Sequence, residues 1–307
     1  MKTCLLYAGQ GSQYVGMLKD INEKFPRAQE IIVKADELLG YKLSEICFDG
    51  PLETLKETRY TQPALFLHEA VVTELVNFDF HAVAGHSVGE YGALFAAGVL
   101  GFEDALKLVS LRGNLMFKAG EYEPGTMFAV ISRLEDSIVE DVCKTLTKNG
   151  NGNVVVAANY NSPGQIVVSG SADYLRESVG AFKEAGAKIV KELVVSGAFH
   201  SPLMEPAKEE LAKAINEIEF KDAKVPVYSN VYAEPLTNAN KIQEALIAQL
   251  TSPVKWTQSM MNMKKDGLER FIEIGPGNVL QGLTKRTISD VEILGIDTAV
   301  DVENFIS

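Results

Sequence analysis

Cysteine is scarce in this chain of 307 residues, and its three thiols are scattered at Cys4, Cys47 and Cys143. No two of them form a C-x-x-C pair, so the sequence predicts neither a disulfide framework nor a zinc site. The four histidines are dispersed as well, since no two lie three or four residues apart, and we expect no metal site. Such cysteine usage is typical of a reducing compartment, and we expect a cytoplasmic protein.

Basic residues are also under-represented, because 29 lysines and arginines stand against 41 aspartates and glutamates and the net charge is −12. A surface this negative repels phosphate backbones and anionic lipids, so we expect neither nucleic acid nor a membrane as partner. The longest weakly polar run, residues 91–102, is far short of the ~20 residues that a membrane span needs. Residues 1–7 are too short in apolar length for a signal peptide and predict a first strand instead.

The glycine-rich loops lack the spacing of phosphate-binding motifs. The segment 9–14 has no third glycine of G-x-G-x-x-G, and G-x-x-x-x-G-K-[ST] does not occur. What the chain does have is an ordinary globular composition, 46% apolar and 23% charged. Its length suits one large domain or two smaller ones.

Short apolar runs and helical periodicity alternate through most of the chain, which predicts an α/β body. Up to about residue 77 the chain after the first strand is predicted to be helical, with Pro63 in the first turn of a helix over 62–76. The predicted strands of this body are 2–8, 82–85, 225–228 and 271–274. The other predicted helices are 25–39, 88–98, 102–118, 202–216, 239–250, 256–265 and a helix after Gly277.

The segment between residues 124 and 193 has a different pattern. It predicts, in order, a strand at 126–131, a helix at 134–146, strands at 153–159 and 165–169, a helix at 172–184 and a strand at 187–193. This βαββαβ order is that of a ferredoxin-like unit. We therefore expect an α/β body formed by residues 1–123 and 194–307, interrupted by an inserted ferredoxin-like subdomain at 124–193.

A candidate nucleophile lies between a predicted strand and a predicted helix. The sequence Gly-His-Ser-Val-Gly at 85–89 matches G-x-S-x-G, the pattern of a nucleophile elbow. The serine of such an elbow occupies a strained turn in which side chains at the flanking glycines would clash. The pattern also occurs by chance, but the strand before it and the helix after it favour Ser87 as a nucleophile.

A serine hydroxyl needs a base, and only four histidines are available. We expect His68 to be packed on a helix and His81 to lie at a surface edge, while strand alternation should point His86 away from Ser87. His200 lies in a loop that ends at a helix start. By elimination and by this placement we expect His200 to be the base; a packed core histidine is the alternative.

Arg112 interrupts the apolar stripe of the helix predicted at 102–118. The guanidinium either snorkels to the surface or pairs with a distant glutamate, or it binds a substrate carboxylate in a bidentate geometry. Acyl transfer also needs donors for the developing oxyanion. The Val88 N–H is one candidate, and Gln10, between two glycines after the first strand, with its flanking backbone is the other.

The chain resembles the malonyl-CoA:acyl carrier protein transacylases, which are related to the acyltransferase domains of polyketide synthases. The resemblance extends from residue 2 to about residue 296 and implies an α/β-hydrolase-like body with a parallel sheet and an inserted ferredoxin-like subdomain. Five motifs carry it in the family's order: the segments 9–13, 85–91 and 197–201, Arg112 with Met116, and Gln249.

The resemblance implies a role for each site residue. Ser87 corresponds to the nucleophile and His200 to its base, which the family orients by a backbone carbonyl near Gln249 instead of by an aspartate. Arg112 corresponds to the clamp on the malonyl carboxylate. Gln10 and the Val88 amide correspond to the oxyanion hole, and the other substrate-contacting residues implied are Met116, Phe199, His86 and Asn159. Phe199 is typical of malonyl selectivity, although Gly197 replaces a histidine often found at that position.

The implied reaction is ping-pong, from malonyl-CoA to Ser87 and then to the phosphopantetheine thiol of acyl carrier protein. No metal or bound cofactor is needed, because the phosphopantetheine belongs to the partner, and we expect a monomer. Carrier proteins are acidic, so docking on this acidic chain needs a local cationic patch. The candidates are Lys188 with Lys191 and Lys285 with Arg286.

Three alternatives remain open from the sequence. A serine thioesterase or hydrolase would need an acidic residue between the serine and the histidine, and Asp104, Asp136 and Glu184 all fall in predicted helices. A transacylase for another short acyl-CoA, such as acetyl or methylmalonyl in polyketide synthesis, would use the same machinery. A catalytically idle binding module would have no reason to keep serine, histidine, arginine and glutamine together.

Overall fold

The computed structural model describes residues 1–76 and 78–306. Within these residues the larger of two sheets has six strands. Its order is β10-β9-β1-β2-β7-β8, and all neighbours pair in parallel except β7 and β8, which form an antiparallel hairpin. The carboxyl ends of β1, β2 and β7 therefore meet at one edge of the sheet. A separate four-stranded antiparallel sheet has the order β4-β5-β3-β6.

The bounds of the elements follow the chain in order. The strands are β1 (Thr3–Tyr7), β2 (Ala82–Gly85), β3 (Gly125–Ile131), β4 (Val155–Ser162), β5 (Gln165–Ser171), β6 (Ile189–Glu192), β7 (Val227–Tyr228), β8 (Pro235–Leu236), β9 (Arg270–Ile274) and β10 (Glu292–Ile296). The α-helices are α1 (Lys19–Lys24), α2 (Pro26–Leu39), α3 (Leu43–Asp49), α4 (Leu52–Lys56), α5 (Thr58–Leu75), α6 (Gly89–Ala96), α7 (Phe102–Tyr122), α8 (Asp136–Asn149), α9 (Ala172–Glu177), α10 (Val179–Glu184), α11 (Glu205–Asn216), α12 (Ala239–Gln249), α13 (Trp256–Lys265), α14 (Val279–Thr287) and α15 (Ala299–Ile306). A 3₁₀ turn over Pro202–Met204 precedes α11.

The larger sheet is buried on both faces by alternate side chains of its strands. Leu5 and Tyr7 of β1 belong to one hydrophobic cluster, while Cys4 and Leu6 belong to a second cluster on the other face. A strand with both faces covered shows an apolar run without alternation, which is why the N-terminal segment predicted a buried strand. The antiparallel sheet has its own core, to which Phe128, among others, contributes.

The predicted arrangement of strands and helices is observed, with local differences. The strand-helix-strand-strand-helix-strand order of the middle segment is confirmed, but its second helix is divided at Ser178 into α9 and α10. The prediction for Pro63 was wrong, because α5 begins at Thr58 and Pro63 lies inside the helix. A proline just beyond the first turn removes a single backbone hydrogen bond, so the helix can continue through it.

The C-terminal segment contains elements that the sequence did not indicate. β10 extends the parallel sheet beside β9, and α15 follows it. The strand is short and contains Gly295, and short strands with glycine give weak patterns. The predicted helical stretch reaches residue 77, which lies outside the described residues, as does residue 307. Among residues 1–76 and 78–306, no helix combines the length and apolar character that crossing a membrane requires.

Candidate active site

Ser87 occupies a sharp turn between β2 and α6. Its φ of 54° is left-handed, which is unusual for a residue other than glycine. A Cβ at Gly85 would lie 2.0 Å from the backbone of Gly89, and a Cβ at Gly89 would lie 2.2 Å from the Tyr7 carbonyl oxygen. Both glycines are therefore required by close packing of the strand, the turn and the helix, as the G-x-S-x-G spacing predicts.

His200 is the histidine that contacts Ser87. Its Nε2 lies 2.8 Å from the Ser87 Oγ, and its Nδ1 lies 3.0 Å from the Gln249 carbonyl oxygen and 3.2 Å from that of Ser252. Carbonyl oxygens only accept hydrogen bonds, so Nδ1 carries the proton and Nε2 is free to accept the Ser87 hydroxyl proton. The geometry is that of a serine nucleophile with a histidine base.

His200 is held in its neutral form. Its pKa is lowered to about 3, mainly by burial and in part by the positive charge of Arg112. At neutral pH the ring is therefore an acceptor for the Ser87 proton. Among the described residues no carboxylate contacts either ring nitrogen, and Asp104, Asp136 and Glu184 make no hydrogen bond to His200.

Arg112 lies beneath the Ser87 hydroxyl and is only 1% exposed. Its Nη2 donates to the Ser87 Oγ at 3.1 Å and to the Gln249 Oε1 at 2.9 Å, and its Nη1 donates to the Gln62 Oε1 at 2.8 Å. The guanidinium therefore does not snorkel to the surface. Within residues 1–76 and 78–306 its hydrogen-bond partners are all neutral, and no carboxylate forms an ion pair with it.

Gln249 connects the main parts of the site through its side chain as well as its carbonyl. Its Oε1 accepts from Arg112, and its Nε2 donates to the Ser87 carbonyl oxygen at 3.0 Å and to the Glu90 Oε2. Glu90 is buried, and burial raises the pKa of its carboxyl to about 7, while the hydrogen bond from Gln249 and the charge of Arg112 act in the opposite direction. One glutamine thus contacts the serine backbone, the arginine and a buried carboxyl.

The residues predicted for the site surround one cavity of about 140 Å³. This volume suits a short acyl group better than a drug-sized ligand, for which pockets of roughly 300 Å³ or more are usual. The predicted residues that line it are Gln10, His86, Ser87, Val88, Met116, Asn159, Phe199 and His200. Arg112 and Gln249 reach the cavity through their contacts with Ser87.

Gln10 and Val88 approach the cavity from neighbouring strands. Gln10 follows β1, and its Nε2 donates to the Thr58 Oγ1 at 3.2 Å. Thr58 also exchanges a hydrogen bond of 2.8 Å with Ser196, in the loop that leads to His200. The loop predicted to carry an oxyanion donor is therefore tied to the loop that carries the candidate base.

The prediction that His86 points away from Ser87 was wrong, because His86 lines the same cavity. Strand alternation ends with β2 at Gly85, and the left-handed backbone of Ser87 changes the direction of the chain. The His86 Nε2 lies 2.8 Å from the Asn161 Oδ1 of the antiparallel sheet, and burial lowers the pKa of His86. This contact joins the elbow to the smaller sheet at the cavity wall.

The two remaining histidines lie outside the cavity. His68 is buried in α5, and its Nε2 contacts Asp297 at 3.1 Å, so it is a packed histidine as predicted. His81 is exposed before β2, where its Nδ1 accepts from the Thr3 N–H at 3.3 Å. No group of three or more histidines, cysteines or acidic residues that could hold a metal ion occurs in the part of the chain that the structure describes.

Sequence reasoning missed several polar residues that complete the site. Gln62 and Asn161 line the cavity, Asn230 bonds the backbone of the elbow, and the Glu90 carboxyl bonds the side chain of Gln249. Glu90 directly follows the G-x-S-x-G segment, which could have drawn attention to it. Asn230 could have been inferred from its place just after a predicted strand, at the carboxyl edge of the parallel sheet.

The two cationic pairs lie on different elements. Lys285 and Arg286 are exposed in α14, and the Arg286 Nη2 lies 3.4 Å from the Gln165 Oε1 at the start of β5. Strand β4, which forms a hairpin with β5, contributes Asn159 and Asn161 to the cavity wall. In the second pair, Lys188 lies just before the edge strand β6 and Lys191 lies within it, and both are exposed.

Comparisons with known proteins agree over nearly the whole chain. The family described as Acyl transferase domain matches residues 4–303. A malonyl CoA-acyl carrier protein transacylase of Haemophilus influenzae is 40% identical over 309 residues, covering 99% of this chain and 97% of that protein. A protein of the same name from Staphylococcus aureus is 41% identical over 305 residues, covering 99% and 98%.

Solved structures give the same result. An acyl carrier protein S-malonyltransferase from Vibrio cholerae superposes with a TM-score of 0.93 at 41% identity, covering 99% of both chains. A malonyl-transacylase in complex with a type II PKS acyl-carrier protein superposes with a TM-score of 0.93 at 36% identity, again over 99% of both. The chain therefore belongs to the acyl transferase domain family, and its relatives there are malonyl CoA-acyl carrier protein transacylases.

Proposed function

We propose that this protein transfers the malonyl group of malonyl-CoA to the phosphopantetheine thiol of acyl carrier protein and thereby supplies fatty acid synthesis. The observation that carries the proposal is the position of the Ser87 hydroxyl, between the neutral His200 ring at 2.8 Å and the buried Arg112 guanidinium at 3.1 Å. The first contact suits acyl transfer and the second suits an acyl group that ends in a carboxylate. The names of the relatives support the same substrates.

The first half-reaction forms a malonyl ester on Ser87. His200 Nε2 takes the hydroxyl proton while the Ser87 Oγ attacks the thioester carbonyl carbon. The Val88 N–H and Gln10 stabilise the oxyanion of the tetrahedral intermediate. The carbon–sulfur bond then breaks, and His200 returns the proton to the departing CoA thiolate.

The second half-reaction reverses these roles with a different thiol. His200 takes the proton of the phosphopantetheine thiol, and the sulfur attacks the ester carbonyl so that the Ser87 hydroxyl is released. A thiol with a pKa near 8.5 is much easier to deprotonate than water, which favours transfer over hydrolysis. A neutral His200, with its low pKa, is available as base in both steps.

Selectivity for malonyl rests on Arg112. A buried guanidinium surrounded by neutral groups is incompletely compensated, and a substrate carboxylate provides the missing charge through charge-assisted hydrogen bonds. Gln62 and Gln249 hold two of its nitrogens in place. Met116, Phe199, His86 and Asn159 form the wall around the acyl group.

The remaining features of the proposal concern the whole protein. The body at 1–123 and 194–307 is an α/β-hydrolase-like unit, and the insertion at 124–193 is a ferredoxin-like subdomain. The enzyme needs no metal or bound cofactor, acts as a monomer in the cytoplasm, and takes acyl carrier protein as its partner. The strand orders of the two sheets support the division of the chain.

Intact-mass analysis after mixing with malonyl-CoA alone tests the first half-reaction. We expect one added malonyl group on Ser87, which is lost on addition of carrier protein bearing phosphopantetheine. Ser87→Ala should abolish the adduct, whereas Ser289→Ala, which changes an exposed serine outside the site, should leave it intact. An adduct that persists in Ser87→Ala, or that maps to another residue, would contradict the assignment.

The same experiment separates transfer from thioester hydrolysis. A hydrolase would release CoA continuously without carrier protein and would accumulate little adduct. His200→Ala should slow loading and transfer together, because one ring serves both steps. If replacement of an Asp or Glu slowed the reaction as much as His200→Ala does, the histidine would require an acidic partner and the present assignment would fail.

A further inference from the structure

Asn230 binds two backbone groups on the amino-terminal side of the candidate nucleophile. Its Oδ1 accepts a hydrogen bond from the Ser87 N–H at 2.8 Å, and its Nδ2 donates to the Gly85 carbonyl oxygen at 2.7 Å. Asn230 lies in the loop after β7, 143 residues from Ser87 in sequence, and is 1% exposed. A single buried side chain therefore bridges two backbone groups of the elbow.

The elbow needs such a contact because it lies between two regular elements. The ladder of the sheet ends with the bond from the His86 N–H to the Tyr7 oxygen, and the first turn of the helix begins with the bond from the Gly89 N–H to the His86 oxygen. The Ser87 N–H falls between them. A left-handed non-glycine residue is strained and persists only where surrounding contacts hold it.

The other side of Ser87 is held by Gln249. The Gln249 Nε2 donates to the Ser87 carbonyl oxygen, which belongs to the same peptide unit as the Val88 N–H. Fixing this peptide plane also fixes the direction in which the Val88 N–H points. Asn230 and Gln249 together hold the peptide units that precede and follow the Ser87 Cα.

Asn230 is itself fixed in position. Its carbonyl oxygen accepts from the Lys255 N–H at 2.9 Å, so its backbone is tied to the start of α13. Asparagine suits the position because its amide offers an acceptor and a donor at once, and both are used. Aspartate would keep the acceptor for Ser87 but would place an oxygen against the Gly85 carbonyl.

We propose that Asn230 is a positioning residue, which acts through the elbow backbone to hold the Ser87 hydroxyl within reach of His200 and the Val88 N–H towards the oxyanion. The inference deepens the proposed function and rests on it for the identity of the acyl group. Loss of the Asn230 side chain should lower the reactivity of Ser87 and leave the contacts of the acyl carboxylate with Arg112 in place.

The test measures the reactivity of Ser87 in Asn230→Ala and Asn230→Asp with a fluorophosphonate probe. In this reaction the Ser87 Oγ bonds to phosphorus, the phosphorus–fluorine bond breaks, fluoride leaves and the hydroxyl proton passes to His200. We expect labelling to slow on the order of a hundredfold in Asn230→Ala, as misplaced reacting groups do, and less in Asn230→Asp. With malonyl-CoA, kcat should fall to a similar extent while KM changes little.

Asn262→Ala is the matched control. Asn262 lies in α13, and its Nδ2 donates a hydrogen bond of 2.9 Å to the Ala233 carbonyl oxygen, so this variant also removes an asparagine side chain that bonds the backbone, but away from the elbow. It should lower the melting temperature and leave labelling unchanged. All rates are taken at a temperature at which circular dichroism shows each variant folded. If Asn230→Ala does not fold, the nearly isosteric Asn230→Asp decides.

Wild-type labelling rates in both Asn230 variants, or equal slowing in Asn262→Ala, would overturn the proposal. A change confined to KM would also overturn it. The probe contains no malonyl group, so the result does not depend on the substrate. A wild-type protein that reacts with the probe but transfers no malonyl group would refute the proposed function and still allow the test of Asn230.

Discussion

The surroundings of the Arg112 guanidinium are polar but neutral. Gln62, Gln249 and the Ser87 hydroxyl accept its hydrogen bonds, and none of them carries a negative charge. Glu90, whose charge acts on the guanidinium, is separated from it by the Gln249 amide. A malonyl carboxylate would therefore meet a cation that has not already been neutralised by direct contact.

We predict that Arg112→Ala lowers kcat/KM for malonyl-CoA by roughly a hundredfold, equivalent to about 3 kcal/mol, because charge-assisted hydrogen bonds to the carboxylate are lost. Acetyl transfer should fall by about tenfold or less, since acetyl has no carboxylate to bind. Initial rates with both acyl-CoA substrates give the two ratios. Equal losses for malonyl and acetyl would mean that Arg112 only supports the structure.

Arg59→Ala serves as the control for loss of a guanidinium. Arg59 pairs with Glu57 and lies over the ring of Phe117, and its hydrogen bonds do not include Ser87. We expect this variant to keep the ratio of malonyl to acetyl transfer. A shift of that ratio would show that general loss of positive charge, and not the position of Arg112, sets the selectivity.

At the scale of elements, Lys285 and Arg286 lie in α14, and Lys191 lies in β6 with Lys188 just before it, on a chain whose net charge is −12. α14 reaches the hairpin between β4 and β5 through the contact of Arg286 with Gln165. β6 is followed by Leu193 and Val195, which line the cavity. The pair at β6 therefore lies on a segment that continues to the cavity wall, and the pair in α14 contacts the hairpin whose first strand contributes Asn159 and Asn161 to that wall.

We predict that the rate of transfer to carrier protein falls as ionic strength rises, because attraction between the patch and an acidic partner is screened. Lys285→Ala combined with Arg286→Ala should flatten this dependence, and loading of Ser87 by malonyl-CoA should change less. The measurement is the rate of each half-reaction over a series of salt concentrations. The Lys188 and Lys191 double alanine variant tests the second pair in the same way.

A matched control removes two positive charges at the opposite edge of the sheet. Lys264 and Lys265 end α13 close to the turn that leads to the amino end of β9, away from the carboxyl edge that carries Ser87. Their double alanine variant should keep the wild-type salt dependence. A transfer rate independent of salt, or equal slopes in all three double variants, would exclude docking at either patch.

At the scale of the whole molecule, two further buried carboxyls belong to Glu69 of α5 and Glu273 of β9. Glu69 of α5 is fully buried, and neither of its carboxyl oxygens has a hydrogen-bond partner among the described residues. Its carboxyl packs closely against Gly92 of α6, where an added Cβ would clash with the Glu69 Oε2. Burial, reinforced by the charge of Glu273, raises the pKa of Glu69 well above its usual range. Burial also raises the pKa of Glu273 to about 7.

The raised pKa of Glu69 determines how it changes stability with pH. Above its ordinary pKa near 4.5 the unfolded chain loses this proton while the folded protein keeps it, so the unfolded state binds fewer protons. The contribution of Glu69 to stability is therefore largest at low pH and decreases as the pH rises. The slope is up to about 1.4 kcal/mol per pH unit.

We predict that Glu69→Gln becomes progressively more stable relative to wild type between pH 5 and pH 8, because glutamine has no proton to lose. Urea denaturation at a series of pH values gives the difference in the free energy of unfolding. Glu37→Gln, at an exposed position of α2, is the control and should show no such trend. A difference that stays constant with pH would mean that Glu69 is ionised in the folded protein.

The sequence by itself determined those parts of the protein that depend on neighbouring residues. The glycines on either side of Ser87 mark the elbow in the sequence, and the clash that excludes a side chain at Gly85 arises within the elbow itself, against Gly89. Apolar runs and helical periodicity predicted four of the six strands of the larger sheet, β1, β2, β7 and β9, and the βαββαβ order of the segment between residues 124 and 193. His200 followed by elimination, because only four histidines exist.

Only the tertiary structure decided how the site is held together. Asn230 and Gln249 reach Ser87 from 143 and 162 residues away, and Gln62 reaches Arg112 from 50 residues away. No periodicity or motif marks Gln62 or Asn230, and only the family resemblance marked Gln249, since each contact arises only when distant helices and strands pack around the carboxyl edge of the sheet. The orientation of His200 by carbonyl oxygens followed only from the resemblance, because every residue at those positions offers the same carbonyl group, and the structure adds the Ser252 carbonyl to that of Gln249.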